Sequence, residues 1–431
     1  MRHPFLKAAK LLGFKRPELM AYAHYLEHDS VDEHLILLES RHGSAFEGNM
    51  FYIARHLLSD EKYRDFKLVI PAKANRRQFV VEQVANLPGE VRIVRYGSAE
   101  YLRALACSKY LFTDTSFLHC FYKRPEQVYV NTWHGTPLKH LGRSVDGERV
   151  RLGNVQRNFL CADYLLFPNE FTKSAIFKDY MLDGLFRGKA LLGGYPRNEV
   201  FYQQSVRCDV RRRFGLENKR VYAYMPTYRG VGNAVDDGQT AILSHHLSAF
   251  DRLLNDDEVL FLNLHPFMEG TISCEGLDRI FLFPKDVPAY DFLAAADGLI
   301  TDYSSVMFDY AGCGRPIALF TYDLEEYRSS RGTYFDVMDL GLPMAERVLS
   351  ILREAQGSSN ERFVAKFCPC DVSNATDMLL RHVIGGESCL AEFEVAASEK
   401  TTRLVLVDGV EPAAVRGALE RAFDDRGLRA A

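Results

Sequence analysis

His134 stands in Asn131-Thr132-Trp133-His134-Gly135-Thr136-Pro137-Leu138-Lys139, directly after an apolar run that reads as a strand. Gly135 and Pro137 mark a tight turn there. Open α/β sheets place ligands outside the carboxyl ends of their strands, so this imidazole is expected at a sheet edge, facing a site. His265 repeats the arrangement. Val259 to Leu264 reads as a strand, and His265-Pro266 ends it, because proline cannot continue the ladder. Histidine changes charge near neutral pH. One ring could therefore take a proton from an attacking hydroxyl while the other, protonated, stabilises charge on a transferring phosphate or its leaving group. Each also has a plainer reading, as a structural histidine at 134 and as a turn residue donating to a backbone carbonyl at 265.

The stretch from Leu299 to Asp323, L-I-T-D-Y-S-S-V-M-F-D-Y-A-G-C-G-R-P-I-A-L-F-T-Y-D, strings strand, polar turn, helix and strand together. Val306, Met307, Tyr310 and Ala311 recur at helical spacing, so a helix is expected to open at Ser304 and Ser305. Its first-turn amides, its dipole and the two hydroxyls would suit a phosphate. Asp302 or Ser304 acting only as a helix cap is the simpler alternative. In Met225-Pro226-Thr227-Tyr228-Arg229-Gly230, Arg229 could clamp a phosphate bidentately and Thr227 add a hydroxyl. Gly193-Gly194-Tyr195-Pro196-Arg197-Asn198 is a further strand-end turn, and Glu39-Ser40-Arg41-His42-Gly43-Ser44 adds polar groups to the edge of the first domain. Arg331, in a charged loop after the last strand of the series, is placed to approach a diphosphate. Gly135, Thr136 and Arg197 complete the candidate binding residues.

Positioning these groups requires parallel sheets. Candidate strands at Leu35 to Glu39, Lys67 to Ala72, Val91 to Tyr96, Tyr110 to Thr113, Val128 to Trp133, Tyr164 to Pro168 and Ala190 to Gly193 alternate with helical patterns such as Gly48 to Leu58, Ala99 to Ser108 and Glu170 to Met181. A second series runs Val221 to Met225, Val259 to Leu264, Ile280 to Phe283, Gly298 to Thr301 and Pro316 to Phe320, with helices opening near Ser244, Ala289 and Ser304. The arginine-rich Asn198 to Arg220 reads as a helix and connector between them. At 431 residues the chain exceeds one comfortable core. We therefore expect an α/β protein with two Rossmann-like domains, 1–199 and 200–385, a cleft between them, and a small tail over 386–431. In that tail Glu392 to Ala397 and Arg403 to Val407 are expected to pair as strands, followed by a helix over Pro412 to Phe423.

Composition narrows the class. With 47% hydrophobic and 26% charged residues and no apolar run near the roughly 18 residues of a membrane span, the chain reads as a cytoplasmic globular protein. The basic, apolar start at Met1 to Arg16 reads first as a helix packed on the first domain, with an interfacial helix at the inner face of a membrane as the alternative. A net charge of -4 argues against a nucleic-acid partner. Nine scattered cysteines, with C-P-C at 368 to 370 lacking a second pair, read as free thiols rather than disulfides or a zinc site, and no carboxylate cluster demands a metal.

Taken together, W-H-G-T-P-L-K at 133 to 139, G-Y-P-R-N at 194 to 198, M-P-T-Y-R at 225 to 229, L-H-P at 264 to 266, I-T-D-Y-S-S-V-M-F-D-Y-A at 300 to 311 and F-T-Y-D-L-E-E-Y-R at 320 to 328 resemble the CDP-glycerol glycerophosphotransferase family, the teichoic-acid primases and polymerases. The resemblance runs in order from about Glu39 to Asp371. It departs at 40 to 44, where S-R-H-G-S replaces S-F-x-G-K, and at P-T-Y-R, which replaces P-T-W-R. It implies a GT-B type fold with the active site between two lobes. It implies transfer of a polyol phosphate from CDP-glycerol or CDP-ribitol to a hydroxyl of a polyol-phosphate or glycan acceptor, lipid-linked or polymeric, with release of CMP. It also implies His134 as general base, His265 as a second essential histidine at the donor phosphate, and Thr227, Arg229, Ser304 and Ser305 as the phosphate cradle. No cofactor is implied, since the CDP-polyol is itself the substrate. Fold alone does not choose a donor, so a nucleotide-sugar glycosyltransferase and a non-catalytic donor-binding protein are the alternatives.

Overall fold

Runs of Leu, Val, Ile and Phe bounded by polar turns form parallel strands here because helices cover both faces of the sheet they build. The computed structural model describes residues 17–145, 152–227, 237–264, 268, 270–330, 332–344, 348–354 and 361–394. In it β1 (Asp32–Glu39), β2 (Lys67–Ala72), β3 (Arg92–Arg95), β4 (Ser108–Thr113), β5 (Val128–Asn131), β6 (Tyr164–Phe167) and β7 (Lys189–Leu192) pair in parallel. Their order is β7-β6-β5-β4-β1-β2-β3. Ile36, Leu37 and Leu38 at the centre of β1 are fully buried, with Leu37 facing one core and its two neighbours the other. Each such leucine or isoleucine contributes roughly 1.5–3 kcal/mol by leaving water.

A second sheet holds β8 (Arg220–Met225), β9 (Glu258–Leu262), β10 (Ile280–Leu282), β11 (Gly298–Thr301) and β12 (Ile317–Leu319), in the parallel order β10-β9-β8-β11-β12. Both sheets thus reverse direction between their first and fourth strands, at β1/β4 and at β8/β11, and such reversals open crevices at the strands' carboxyl ends. This is the two-lobed, doubly wound GT-B arrangement expected.

Three details differ from the sequence expectation. The helix expected near Ser244 opens earlier and spans Asp237–Leu253. The helix after the serine turn is short, Val306–Ala311. In the tail, β13 (Ala391–Glu394) pairs antiparallel with β7 of the first sheet, a partner the sequence does not suggest. The remaining tail expectations, and Met1 to Arg16, lie outside the described residues.

The lobes are joined by more than their connector. Leu138 to His140 runs beside Gly332 to Tyr334, with His140 N donating to Gly332 O at 3.0 Å and Tyr334 N to Leu138 O at 2.9 Å. Glycine is required at 332, because a Cβ there would lie 2.4 Å from His140 Nδ1. The helix Gly48–Ser59 sends Tyr52 and Arg55 to Asp291 of the second lobe, at 2.7 Å and 2.8 Å. All nine cysteines are free thiols. No helix among the described residues is long and apolar enough to cross a membrane.

Candidate active site

The loop after β5 is over-determined. Trp133 takes a positive φ of 51°, unfavourable for a side-chain-bearing residue. It is held by Asn131 Oδ1 accepting from its amide at 2.9 Å, by Asn49 Nδ2 donating to its carbonyl at 3.4 Å, and by packing of its ring on Phe159 and Tyr180. The His134 ring lies against the indole, with centroids 4.1 Å apart, and its Nδ1 is 2.9 Å from Asp114 O. A carbonyl only accepts, so Nδ1 carries the proton and Nε2 keeps its lone pair. That is the tautomer of a base.

His134 has an open, solvent-facing edge although protein crowds the rest of the ring, as at the floor of a crevice. Loss of hydration pulls its pKa down to about 4, and the charges of Arg41, Arg197 and His42 act in the same direction. The imidazole is neutral at physiological pH.

The serine turn sits at the reversal point of the second sheet. Asp302 is fully buried and accepts from Thr227 N through both oxygens, at 2.9 and 3.0 Å, and from Thr227 Oγ1 at 2.6 Å. It thereby ties the loop after β8 to the end of β11. Among the described residues the amides of Ser304 and Ser305 donate to no protein acceptor, while Ser304 Oγ accepts from Val306 N at 3.4 Å. The helix beyond them has only six residues, so anion-binding capacity resides in these amides and hydroxyls more than in a macrodipole.

Gly135 brings the two loops together. Its φ of +149° suits glycine, and a Cβ there would lie 3.3 Å from Ser305 Oγ and 3.3 Å from Arg197 Nη2. Arg197, buried in the 3-10 segment Pro196–Tyr202, spans the junction. Nη1 donates to His134 O at 3.0 Å, and Nη2 reaches Asp309 Oδ1 and Oδ2 at 3.0 and 2.8 Å. Tyr290 OH donates to the same carboxylate at 2.6 Å. Burial opposes the charge on Arg197, but the Asp309 carboxylate outweighs it and the guanidinium stays protonated.

The structure therefore brings His134, Gly135, Ser304, Ser305, Thr227 and Asp302 to facing strand ends. Arg197, Thr136, Thr227 and Asp302 are expected as substrate ligands, yet most of their polar groups already have protein partners, Arg197 Nε being buried without one. Thr136 Oγ1 is buried and accepts from Asn169 Nδ2 at 3.0 Å and Thr172 Oγ1 at 3.1 Å. His265, Arg229 and Arg331 lie outside the described residues, although β9, which leads to His265, ends beside β8, with Asn263 N donating to Tyr224 O at 2.9 Å.

Sequence reading passes over Asp114, Asp309 and Tyr290. Asp114 was detectable: Thr113-Asp114-Thr115-Ser116 matches Thr301-Asp302-Tyr303-Ser304 in three of four positions, each directly after the fourth strand of its sheet. Among the described residues one group, His56, Asp60 and Asp377, brings metal-type ligand atoms within 4.8 Å of one another. It lies near the far end of helix Gly48–Ser59 from Asn49, and the site just described uses none of its members.

Comparison with known proteins shows the family. A model of the CDP-Glycerol:Poly(glycerophosphate) glycerophosphotransferase family matches residues 20–384. The chain is 27% identical over 381 residues to a teichoic acid glycerol-phosphate transferase of Staphylococcus aureus, covering 82% of this chain and 93% of that protein. It is 26% identical over 375 residues to a teichoic acid poly(glycerol phosphate) polymerase of Bacillus spizizenii, covering 82% and 93%. A polymerase of the same description from Staphylococcus epidermidis is 27% identical, and there the aligned region spans 86% of this chain but only 53% of the relative. Among solved structures, a variant of the wall teichoic acid polymerase TagF soaked with CDPG superposes with a TM-score of 0.73 at 24% identity, over 88% of this chain and 96% of that one, which shows a shared fold. The chain belongs to the CDP-glycerol:poly(glycerophosphate) glycerophosphotransferase family.

Proposed function

We propose, with that membership as premise, that the protein transfers a polyol phosphate, glycerol phosphate first and ribitol phosphate as the close variant, from its CDP carrier to a hydroxyl of a teichoic-acid or related polyol-phosphate acceptor. The observation that carries the reading is the meeting of Gly135 with Ser305, which sets a neutral imidazole from one lobe beside the unpaired amides and the hydroxyls of Ser304 and Ser305 from the other. In the reaction, His134 Nε2 takes the acceptor proton as the hydroxyl oxygen bonds to the phosphorus that bears the polyol. The bridging P–O bond breaks and CMP leaves. Ser304 and Ser305 hold the diphosphate beside the Thr227 loop that Asp302 fixes, and Arg229, Arg331 and His265 neutralise the developing charge. Residues 1–199 form the acceptor side and 200–385 the donor side. The protein works at the cytoplasmic face of the membrane on an acceptor anchored there.

The test is a donor panel. Purified protein is given CDP-glycerol, CDP-ribitol, UDP-sugars and GDP-sugars with a glycerol-phosphate-terminated acceptor, and products are weighed by mass spectrometry. A polyol-phosphate increment with stoichiometric CMP supports the reading. A sugar increment makes the protein a glycosyltransferase, and donor binding without CMP release makes it a binding protein.

A further inference from the structure

The two lobes use one device at their reversal points, and only the second lobe's copy is occupied by the proposed donor. In the first lobe Asp114, buried after β4, accepts from Ser40 Oγ at 2.7 Å and from Arg41 N at 3.0 Å, as Asp302 accepts from Thr227. The crevice it braces opens beside His134, whose Nδ1 contacts the carbonyl of that same aspartate. Its rim is cationic. Arg41 pairs with Glu47 through Nε, at 2.9 Å, and its side chain is 51% exposed, while His42 lies 3.7 Å from the buried Glu39 through Nδ1 and is 43% exposed. Among the described residues the outer guanidinium nitrogens of Arg41 and Nε2 of His42 make no hydrogen bond to protein. Lys73 Nζ adds a third cation at Ser44 Oγ, 2.8 Å away.

This rim is held in an unfavourable backbone state. Arg41, His42 and Gly43 have φ of 45°, 51° and 71°, the left-handed region that arginine and histidine disfavour. The turn is fixed by Lys73 N donating to Gly43 O at 2.7 Å, and a Cβ on Gly43 would meet the Lys73 and Pro71 backbone at 3.2 Å. Glycine would satisfy positions 41 and 42 at lower conformational cost. Cationic side chains stand there instead, next to the base and opposite the donor turn.

We infer that the β1/β4 crevice is a second anion subsite, in which Arg41 and His42 grip a phosphate of the acceptor and present its terminal hydroxyl to His134. The inference rests on the proposed transfer reaction and adds which residues of this chain read the phosphate of its acceptor. Arginine supplies the fork that matches phosphate oxygens, and the histidine adds a single donor.

The test compares a glycerol-phosphate-terminated acceptor with its dephosphorylated counterpart, in wild type and in Arg41→Gly and His42→Gly. Glycine at these φ values keeps the turn, so thermal midpoints no lower than wild type are expected and unfolding is separated from lost recognition. The acceptor KM should rise at least tenfold in each variant for the phosphorylated acceptor only, with CDP-glycerol affinity unchanged, and glycerol 3-phosphate should compete with acceptor in wild type but not in Arg41→Gly. An unchanged acceptor KM in well-folded variants, or a parallel loss of CDP-glycerol affinity, overturns the subsite. Failure of wild type to release CMP at all would instead overturn the transfer reaction itself.

Discussion

Arg197 reaches both carboxylate oxygens of Asp309 across the lobe junction from one nitrogen, Nη2, at 3.0 and 2.8 Å, and both side chains are nearly excluded from solvent. The same guanidinium holds the carbonyl of His134. One residue therefore sets the distance between the base and the turn proposed to hold the donor. Breaking a buried pair by removing one partner typically costs about 3–5 kcal/mol, because the other charge is left stranded. Arg197→Ala should lose stability on that order in urea unfolding. Arg197→Lys, which restores charge but not the fork, should recover part of the stability and little of the CMP release.

Gly135→Ala places a methyl 3.3 Å from both Ser305 Oγ and Arg197 Nη2, at a φ that alanine disfavours. We expect a loss of about 1–3 kcal/mol from backbone strain and a larger fall in turnover as the two loops are pushed apart. Chemical unfolding measured beside initial rates checks both, and a variant with wild-type turnover would show that the close approach is not needed.

His134 is expected to leave a pH signature. Its folded pKa is pulled down to about 4 by lost hydration, then by Arg41, Arg197 and His42, against an ordinary 6.5. Between those values the unfolded chain binds a proton that the folded ring refuses. This contribution to stability is therefore flat above 6.5 and falls as pH drops toward 4. The stability difference between wild type and His134→Gln should narrow over that window. The acid limb of kcat/KM should lie well below 6.5, and Arg41→Gln should move it upward by removing one neighbouring cation.

Asp302 and Thr136 are expected to separate donor binding from scaffolding. Asp302→Ala orphans the Thr227 amide and costs about 1–3 kcal/mol, and it should also erase the thermal shift produced by CDP-glycerol, since the loop after β8 loses its anchor. Thr136→Val disturbs only the buried Asn169–Thr172 network and should lower stability while leaving that shift intact. A donor effect in Thr136→Val would return this residue to the binding site.

The strand ends and most of the loops they carry were legible because apolar runs and Gly/Pro punctuation are local signals. The reversal of strand order could also be anticipated, since alternating strands and helices leave few parallel topologies. Partners were not legible. Arg197 reads as a candidate binding residue in G-Y-P-R-N, and nothing local reveals that Asp309, 112 positions away, neutralises it. Thr136 reads as an exposed turn hydroxyl until Asn169, capping the helix Glu170–Asp179, is seen to consume it. The short T-D-x-S repeat escaped notice because its meaning lies in the equivalent placement of β4 and β11, which pairing alone reveals.

The central claim is that His134 Nε2 removes the acceptor proton while the opposite turn holds the donor. Single-turnover CMP release from CDP-glycerol with a glycerol-phosphate-terminated acceptor, in wild type and folded His134→Ala, tests it most directly. We expect a fall of about 10²–10⁴-fold, with CDP-glycerol affinity preserved. Undiminished release by the folded variant would contradict the account.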